Sequence, residues 1–360
     1  MLKVKKMIES RKLKQWQKEL NNLCLETNNT LKDICDYLDL TYQRDIGFYV
    51  KIPKKRRMFI GIGMALCQPV EVINNWITHY GNKSRLYSKN LTEDLIWIYL
   101  IECNLKQNSC ADGEKAVRNY YREYDAFQQV AFETYMAVWT DLISGSQDTS
   151  DLDNRLAEIG EEGGFEELKN FVIKNIDSFK TAYAKPRRML ATYRDCILST
   201  NGKSSSKGHS DSLISLRGWL DDSMINYLSG SPETVNVTNV RTGERVPDVK
   251  QIPKSRKSHI AISLALGMAT GEIDQYLELM GYLPLNKEDP DDQILITELE
   301  KWETEHPLPR LYKEKFINGN VNIELNEEDE QQAVSEMLML RQELRASYKR
   351  RRLKFDYMKS

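Results

Sequence analysis

Long apolar runs are missing from this chain of 360 residues. The longest, Met58 to Cys67, falls well short of the ~20 residues that cross a bilayer. The opening Met1–Lys6 lacks the apolar core of a signal peptide. A cytoplasmic protein with no membrane contact is the expectation. Histidine is scarce, and His79, His209, His259 and His306 have no His or Cys neighbour at metal-ligand spacing. The cysteines, Cys24, Cys35, Cys67, Cys103, Cys110 and Cys196, form no CxxC pair and no regular framework, which suits buried, apolar thiols. No Ser or Cys lies in a recognisable nucleophile motif. Carboxylates are plentiful, but Asp33, Asp36 and Asp39, or Glu327, Glu328 and Asp329, sit on amphipathic helical patterns where a solvated face is the default. With no catalytic constellation, the chain reads as a non-enzyme that needs no metal or cofactor. Charge of one sign is also missing overall, the net being -2, yet residues 1–57 hold fourteen Lys/Arg against seven Asp/Glu. That local excess suits an anionic partner.

What is present is an internal echo. Ile52–Gly81 returns as Ile252–Gly281 with ten of thirty positions identical: Ile52, Pro53, Lys54, Arg56, Ile60, Ile62, Ala65, Leu66, Ile73 and Gly81. The alignment continues with a two-residue adjustment, Asp94-Leu95-Ile96-Trp97-Ile98 matching Asp292-Gln293-Ile294-Leu295-Ile296. A period this long exceeds the ~20–50 residues of solenoid units and points to a duplicated domain. Ile60, Met64, Leu66, Ile73, Trp76 and Ile77, like Ile260, Leu264, Leu266, Ile273, Tyr276 and Leu277, recur at three- and four-residue steps, so each copy should be helical with those residues in its core. Pro53 and Pro253 are expected to open the first helix and Gly81 and Gly281 to cap the second. Gly61-Ile62-Gly63 is not a phosphate loop, because no strand precedes it and the second copy has Ala261 and Ser263; small residues there suit close packing.

The expected architecture is all-α. It has an N-terminal helix-turn-helix-like domain (1–103), a helical middle region (104–198), a flexible linker (199–210), a degenerate second copy (211–325) and a long C-terminal helix with a basic end (326–360). In the middle region a helix from Lys115 to Ile143 carries Tyr120, Tyr124, Phe127, Ala131, Val138 and Leu142 on one stripe, which its spacing makes core rather than a base-stacking surface. Gly160, Gly163-Gly164 and Pro186 should interrupt the helices that follow. Ser199–Ser210 has no large apolar group, hence the linker. A helix is expected near Leu213–Leu228, and 231–249 reads equally as a short helix or a hairpin. Val334, Met337, Leu344 and Tyr348 form a stripe on the last helix, where a second chain or a protein partner could dock together with the second copy.

Upstream of the first copy, Thr30 followed three residues on by Asp33 marks a helix start, Ile34, Cys35 and Leu38 line one face, and a break falls near Asp39-Leu40-Thr41. A second short helix then begins with Tyr42, Gln43 and Arg44. Two short helices about a tight turn, a basic lead-in Ile52-Pro53-Lys54-Lys55-Arg56-Arg57 and two further helices follow in order. From Thr30 to Ile101 the chain thereby resembles the repressor/Cro-type helix-turn-helix family of bacterial and phage regulators. The resemblance implies sequence-specific binding of double-stranded DNA, with Thr41, Tyr42, Gln43 and Arg44 against base edges and Lys51, Lys54, Lys55, Arg56 and Arg57 against phosphates. The turn residue usually glycine in that family is Asp39 here, Asp45 stands where an apolar residue is expected, and Gly47 weakens the second helix. These departures favour an alternative, a protein-interaction scaffold that keeps the architecture without reading DNA.

Overall fold

The computed structural model is all-α apart from one short hairpin. It describes residues 2–41, 47–87, 91–109, 119–128, 130, 131, 134, 166–199, 220–229, 236–238, 245–247, 253, 255–351, 353–355 and 357. The helices are α1 (Leu2–Glu26), α2 (Leu31–Tyr37), α3 (Gly47–Val50), α4 (Arg56–Ala65), α5 (Val70–His79), α6 (Leu91–Ser109), α7 (Glu166–Ser199), α8 (Asp222–Ser229), α9 (Arg256–Ala265), α10 (Thr270–Leu279), α11 (Pro290–Glu305), α12 (Leu308–Phe316) and α13 (Glu327–Arg350), and residues 120–128 are also helical. Within 231–249, which reads as helix or hairpin, the described residues are two paired strands: β1 (Asn236–Thr238) runs antiparallel to β2 (Arg245–Pro247), Val237 opposite Val246.

The chain divides into two compact units, Met1–Tyr183 and Ala184–Ser360. That boundary lies inside α7 rather than at 199–210, and residues 200–210 are outside the described residues. Its physical cause is that the later part of α7 belongs to the second core, where the Tyr312 hydroxyl donates to Cys196 O at 3.0 Å and Arg194 Nη1 to Leu228 O at 2.8 Å. Pro186 does not interrupt this helix but lies buried within it. Nor does a boundary fall at 103, which lies within α6 and well inside the first unit.

In the first unit the alternating three- and four-residue steps do put their residues inside. Ile60, Ile62, Met64, Leu66, Ile73, Trp76 and Ile77 are all buried. Trp16 of α1 enters this core edge-on to Phe59 and Trp76, ring centroids 5.6 and 5.4 Å away, an arrangement that adds ~0.5–1.5 kcal/mol per pair to the area buried. Gly61 and Gly63 are packing residues: a Cβ on Gly61 would strike Leu38 and Tyr121, and one on Gly63 would strike Ile73. Tyr124, Phe127 and Ala131 are buried as their spacing predicts, with Tyr124 stacked on Trp97 at 4.1 Å; Val138 and Leu142 lie outside the described residues.

Two capping expectations need correction. Pro53 is buried three residues before α4, whose N-cap is Lys55, and Pro253 likewise precedes α9, capped by the Ser255 side chain. After α5 the left-handed residue is Asn82 (φ 47), not Gly81, whereas after α10 it is Gly281 (φ 72). Gly81 is needed for space, because a Cβ would lie 2.7 Å from both Ile77 O and Phe59 Cε2.

The second unit is built on α9, α10 and α11, with Ile260, Ile262, Leu264, Leu266, Ile273, Tyr276 and Leu277 buried. His259 is a satisfied core residue, Nδ1 2.9 Å from the Tyr276 hydroxyl and Nε2 2.8 Å from Pro253 O. Helix α13 begins at Asn326, whose side chain accepts from Asp329 N; Glu327, Glu328, Asp329 and Glu330 fill its first turn and Lys349 and Arg350 its last, matching the helix dipole. Its stripe of Val334, Met337, Leu344 and Tyr348 is buried within the unit, where α13 packs on α9, α11 and α12. The stripe is therefore taken up internally and is not free to form a seam with a second chain.

Candidate nucleic-acid interface

Helix α2 starts with a reciprocal cap, Asp33 N donating to Thr30 Oγ1 at 3.2 Å and Thr30 N to Asp33 Oδ2 at 2.7 Å. These bonds to the carboxylate hold the Asp33 pKa below its ordinary value. Ile34, Cys35 and Leu38 are buried on one face. The helix then stops where Asp39 takes the left-handed conformation (φ 59) and Leu40 N donates to Cys35 O at 2.8 Å. Asp is among the few non-glycine residues that visit this region readily, so Asp39 can end the helix without a glycine. Thr41 is exposed and non-helical, while Tyr42, Gln43 and Arg44 lie outside the described residues.

Gly47 is the first residue of α3. The α3 turn is fastened to α1: Trp16 Nε1 donates to Phe48 O at 2.8 Å, Gln17 Nε2 to Tyr49 O at 3.0 Å, and Asn21 Nδ2 to the Tyr49 hydroxyl at 3.1 Å. The chain leaves through Lys51, Lys54 and Lys55, all exposed and without an ion pair among the described residues.

The two arginines expected on phosphates are engaged elsewhere. Arg56 turns inward and grips Asp94, Nη1 to Oδ1 at 2.7 Å and Nη2 to Oδ2 at 2.8 Å, with a further bond to Arg85 O at 2.9 Å. Asp94 is fully buried and also accepts from Tyr87 N at 2.9 Å. Arg56 is thus a structural residue that ties the start of α4 to α6 and to the loop between α5 and α6. Arg57, half exposed, places its guanidinium 5.5, 5.2 and 5.2 Å from the ring centres of Trp97, Tyr121 and Tyr124. Arginine held over aromatic faces retains its charge but loses the freedom to follow a phosphate.

Sequence reading missed the role of residues 119–128. Asn119 Nδ2 donates to Tyr37 O at 2.7 Å and Arg122 Nη2 to Asp36 O at 3.1 Å, while Arg122 pairs with Asp39 at 3.1 Å. The Tyr37 and Asp36 carbonyls at the end of α2 and the turn residue Asp39 are therefore engaged from more than eighty residues away. No local pattern signals such a contact.

The second unit repeats the internal bonds of the first. Arg256 grips Asp292 at 2.9 and 2.8 Å and bonds Leu283 O and Pro284 O, and Asn286 N donates to Asp292. Asn74 Oδ1 accepts from Leu86 N at 2.7 Å in the first unit, and Asp274 Oδ1 accepts from Leu285 N at 2.6 Å in the second. Between α8 and α9 stands the β1–β2 hairpin, where the first unit has α2 and α3 between α1 and α4.

Among the described residues no group of three or more His, Cys, Asp or Glu side chains is placed to hold a metal ion, and no helix is long and apolar enough to cross a membrane. Searches against protein-family models, curated proteins and solved structures return no match.

Proposed function

We propose that the first unit is a helix-turn-helix-type module that binds double-stranded DNA in a transcriptional regulator, and that the second is a copy of it without a reading helix. The observation that carries the reading is the turn at Asp39, a capped α2 ended by a left-handed residue, followed by α3 and an exposed lysine loop leading to α4. The duplication is supported by the recurrence of the Arg56–Asp94 bonds as Arg256–Asp292 across the two-residue shift. Base contacts fall to Thr41, Tyr42, Gln43 and Arg44; phosphate contacts fall to Lys51, Lys54 and Lys55, with Arg56 and Arg57 removed from the set. Gln43→Ala and Arg44→Ala should reduce discrimination between duplex sequences by ~1–3 kcal/mol each without unfolding the protein. Full-length protein that binds no duplex at low salt in an anisotropy titration would end this reading.

One observation favours the scaffold instead. Arg56 is held in an internal ion pair and Arg57 lies over aromatic rings, which leaves three lysines as the basic lead-in. A stoichiometric protein complex recovered from cells, together with no duplex binding in vitro, is the outcome expected of that alternative.

A further inference from the structure

The outer face of α1 carries Arg11, Lys14 and Lys18, all exposed and none in an ion pair among the described residues. At 100° per residue these three lie within about 60° of one another and opposite the buried Trp16. The positions three and four residues from each, on either side, hold no Asp or Glu. Like charges at those spacings cost ~0.2–0.5 kcal/mol per pair in an isolated helix, so the row is a small expense that the fold does not offset locally. Lys14 and Lys18 adjoin Gln17 and Asn21, the two residues that hold Tyr49 of α3. Lys51 follows Tyr49 by two positions and is also exposed.

Resting on the DNA-binding reading above, we infer that the α1 row is a second phosphate-contact surface, continuous with Lys51 across the α1–α3 seam, so that one duplex lies along α1 as well as against the lysine loop. From Arg11 to Lys18 the helix advances ~10 Å at 1.5 Å per residue. Duplex DNA carries a negative charge every ~1.7 Å of its axis, which gives each of the three cations a phosphate within reach. Gln15 and Asn22, exposed beside the row, add uncharged donors for the same backbone. Continuity with Lys51, which the DNA-binding reading places on phosphates, selects nucleic acid over an anionic lipid surface, which the charge of the row alone would attract equally.

The test uses full-length protein, a labelled duplex of mixed sequence and anionic phosphatidylserine vesicles. The triple variant Arg11→Gln/Lys14→Gln/Lys18→Gln is compared with wild type and with Lys287→Gln/Lys301→Gln/Lys349→Gln, which removes the same charge from the second unit; thermal melts check that both fold. The expected result is a fall of about 2.7 in the slope of log affinity against log salt for the α1 variant, ~0.9 for each lost contact, and little change for the control. Wild-type binding of the duplex with an unaltered slope in the α1 variant overturns the inference and leaves the DNA-binding reading standing. Equal losses in both triple variants mean a general charge effect and overturn it too. Vesicle binding that exceeds duplex binding and vanishes in the α1 variant makes the row a lipid-facing surface. No duplex binding by wild type removes the parent reading and this inference with it.

Discussion

Replacing Asp94 or Asp292 by Ala should destabilise its own unit by ~3–5 kcal/mol, the usual consequence of removing one partner of a buried ion pair. Asp94 has no exposed surface, and the Arg56 side chain beside it is 16% exposed; Asp292 and Arg256 are 5% and 10% exposed. Water can partly reach Arg56 once its carboxylate is gone, which puts the first unit at the lower end of the range. Each substitution also strands a loop N–H, that of Tyr87 or Asn286. A loss of this size is a fifth or more of the ~5–15 kcal/mol that stabilises an ordinary domain. Urea unfolding followed by tryptophan fluorescence measures it, Trp16, Trp76 and Trp97 reporting on the first unit and Trp302 on the second. Arg56→Met with Asp94→Leu should recover much of the loss, because a buried pair exchanged for apolar groups of similar size is often neutral. In conditions where Arg56→Ala remains folded, its duplex binding should keep the wild-type salt slope. A loss under ~1 kcal/mol from either aspartate substitution, or a salt slope lowered by Arg56→Ala, would refute the assignment of these arginines to the fold.

Cys67 (φ 52) and Gly267 (φ 63) occupy the same left-handed position after α4 and α9, where a non-glycine residue costs ~1–2 kcal/mol. Cys67→Gly should leave stability unchanged or raise it by up to ~1 kcal/mol, since glycine's greater unfolded freedom takes back part of the gain. Gly267→Ala should lose ~2 kcal/mol or more, combining strain with a Cβ 2.6 Å from Met337 Cβ; calorimetry showing equal effects at both sites would contradict the argument. Asp274→Asn should hold or increase stability at pH 7, because the amide oxygen can keep the Leu285 N–H as Asn74 keeps that of Leu86. Burial raises the Asp274 pKa, with Arg256 opposing it. Its contribution to stability is thus greatest below the unfolded value of ~3.9 and is lost as pH rises through the higher folded pKa. The advantage of Asn should therefore fade below pH ~4 in urea titrations, and a clear loss at pH 7 would mean that Arg256 needs the second carboxylate.

Contacts with a local signature were legible in the sequence. The Thr30–Asp33 cap, the buried faces of α2, α4 and α5, and the start of α13 at Asn326 all follow from three- and four-residue spacing and capping chemistry, which act within a turn or two of the chain. The long-range pairings were not legible. Nothing near Arg56 announces Asp94 thirty-eight residues on, and a basic run that reads as a phosphate surface hides one arginine in an ion pair and another among aromatic rings. The recurrence of Arg56 and Asp94 as Arg256 and Asp292 did carry the signal, since two groups of opposite charge that return together across a shifted alignment are candidates for a bond. Pro186 misled for a related reason: local propensity disfavours it in a helix by ~3 kcal/mol, and packing around a buried position overrode that preference.

The differences between the units bear on how one could lose a reading surface and stay folded. Trp16 of α1 packs on Phe59 and Trp76 in the first; Tyr227 of α8 packs on His259 and hydrogen-bonds Tyr276 in the second. His259 and Tyr276 stand where the first unit has Phe59 and Trp76, so α1 and α8 cover equivalent parts of the two cores. Between the covering helix and the first core helix the chain runs through α2, the Asp39 turn and α3 in one unit and through the β1–β2 hairpin in the other. Under the proposed duplication, the segment that diverged is the one assigned to DNA, while the segments retained are those that bury apolar surface or satisfy the Arg–Asp pair. The reading segment is then an attachment to the core rather than a part of it. The bonds holding Arg256, Asp274 and Asp292 are made wholly by α9, α10, α11 and the loop between α10 and α11, so the packing of the second unit does not depend on the segment between α8 and α9.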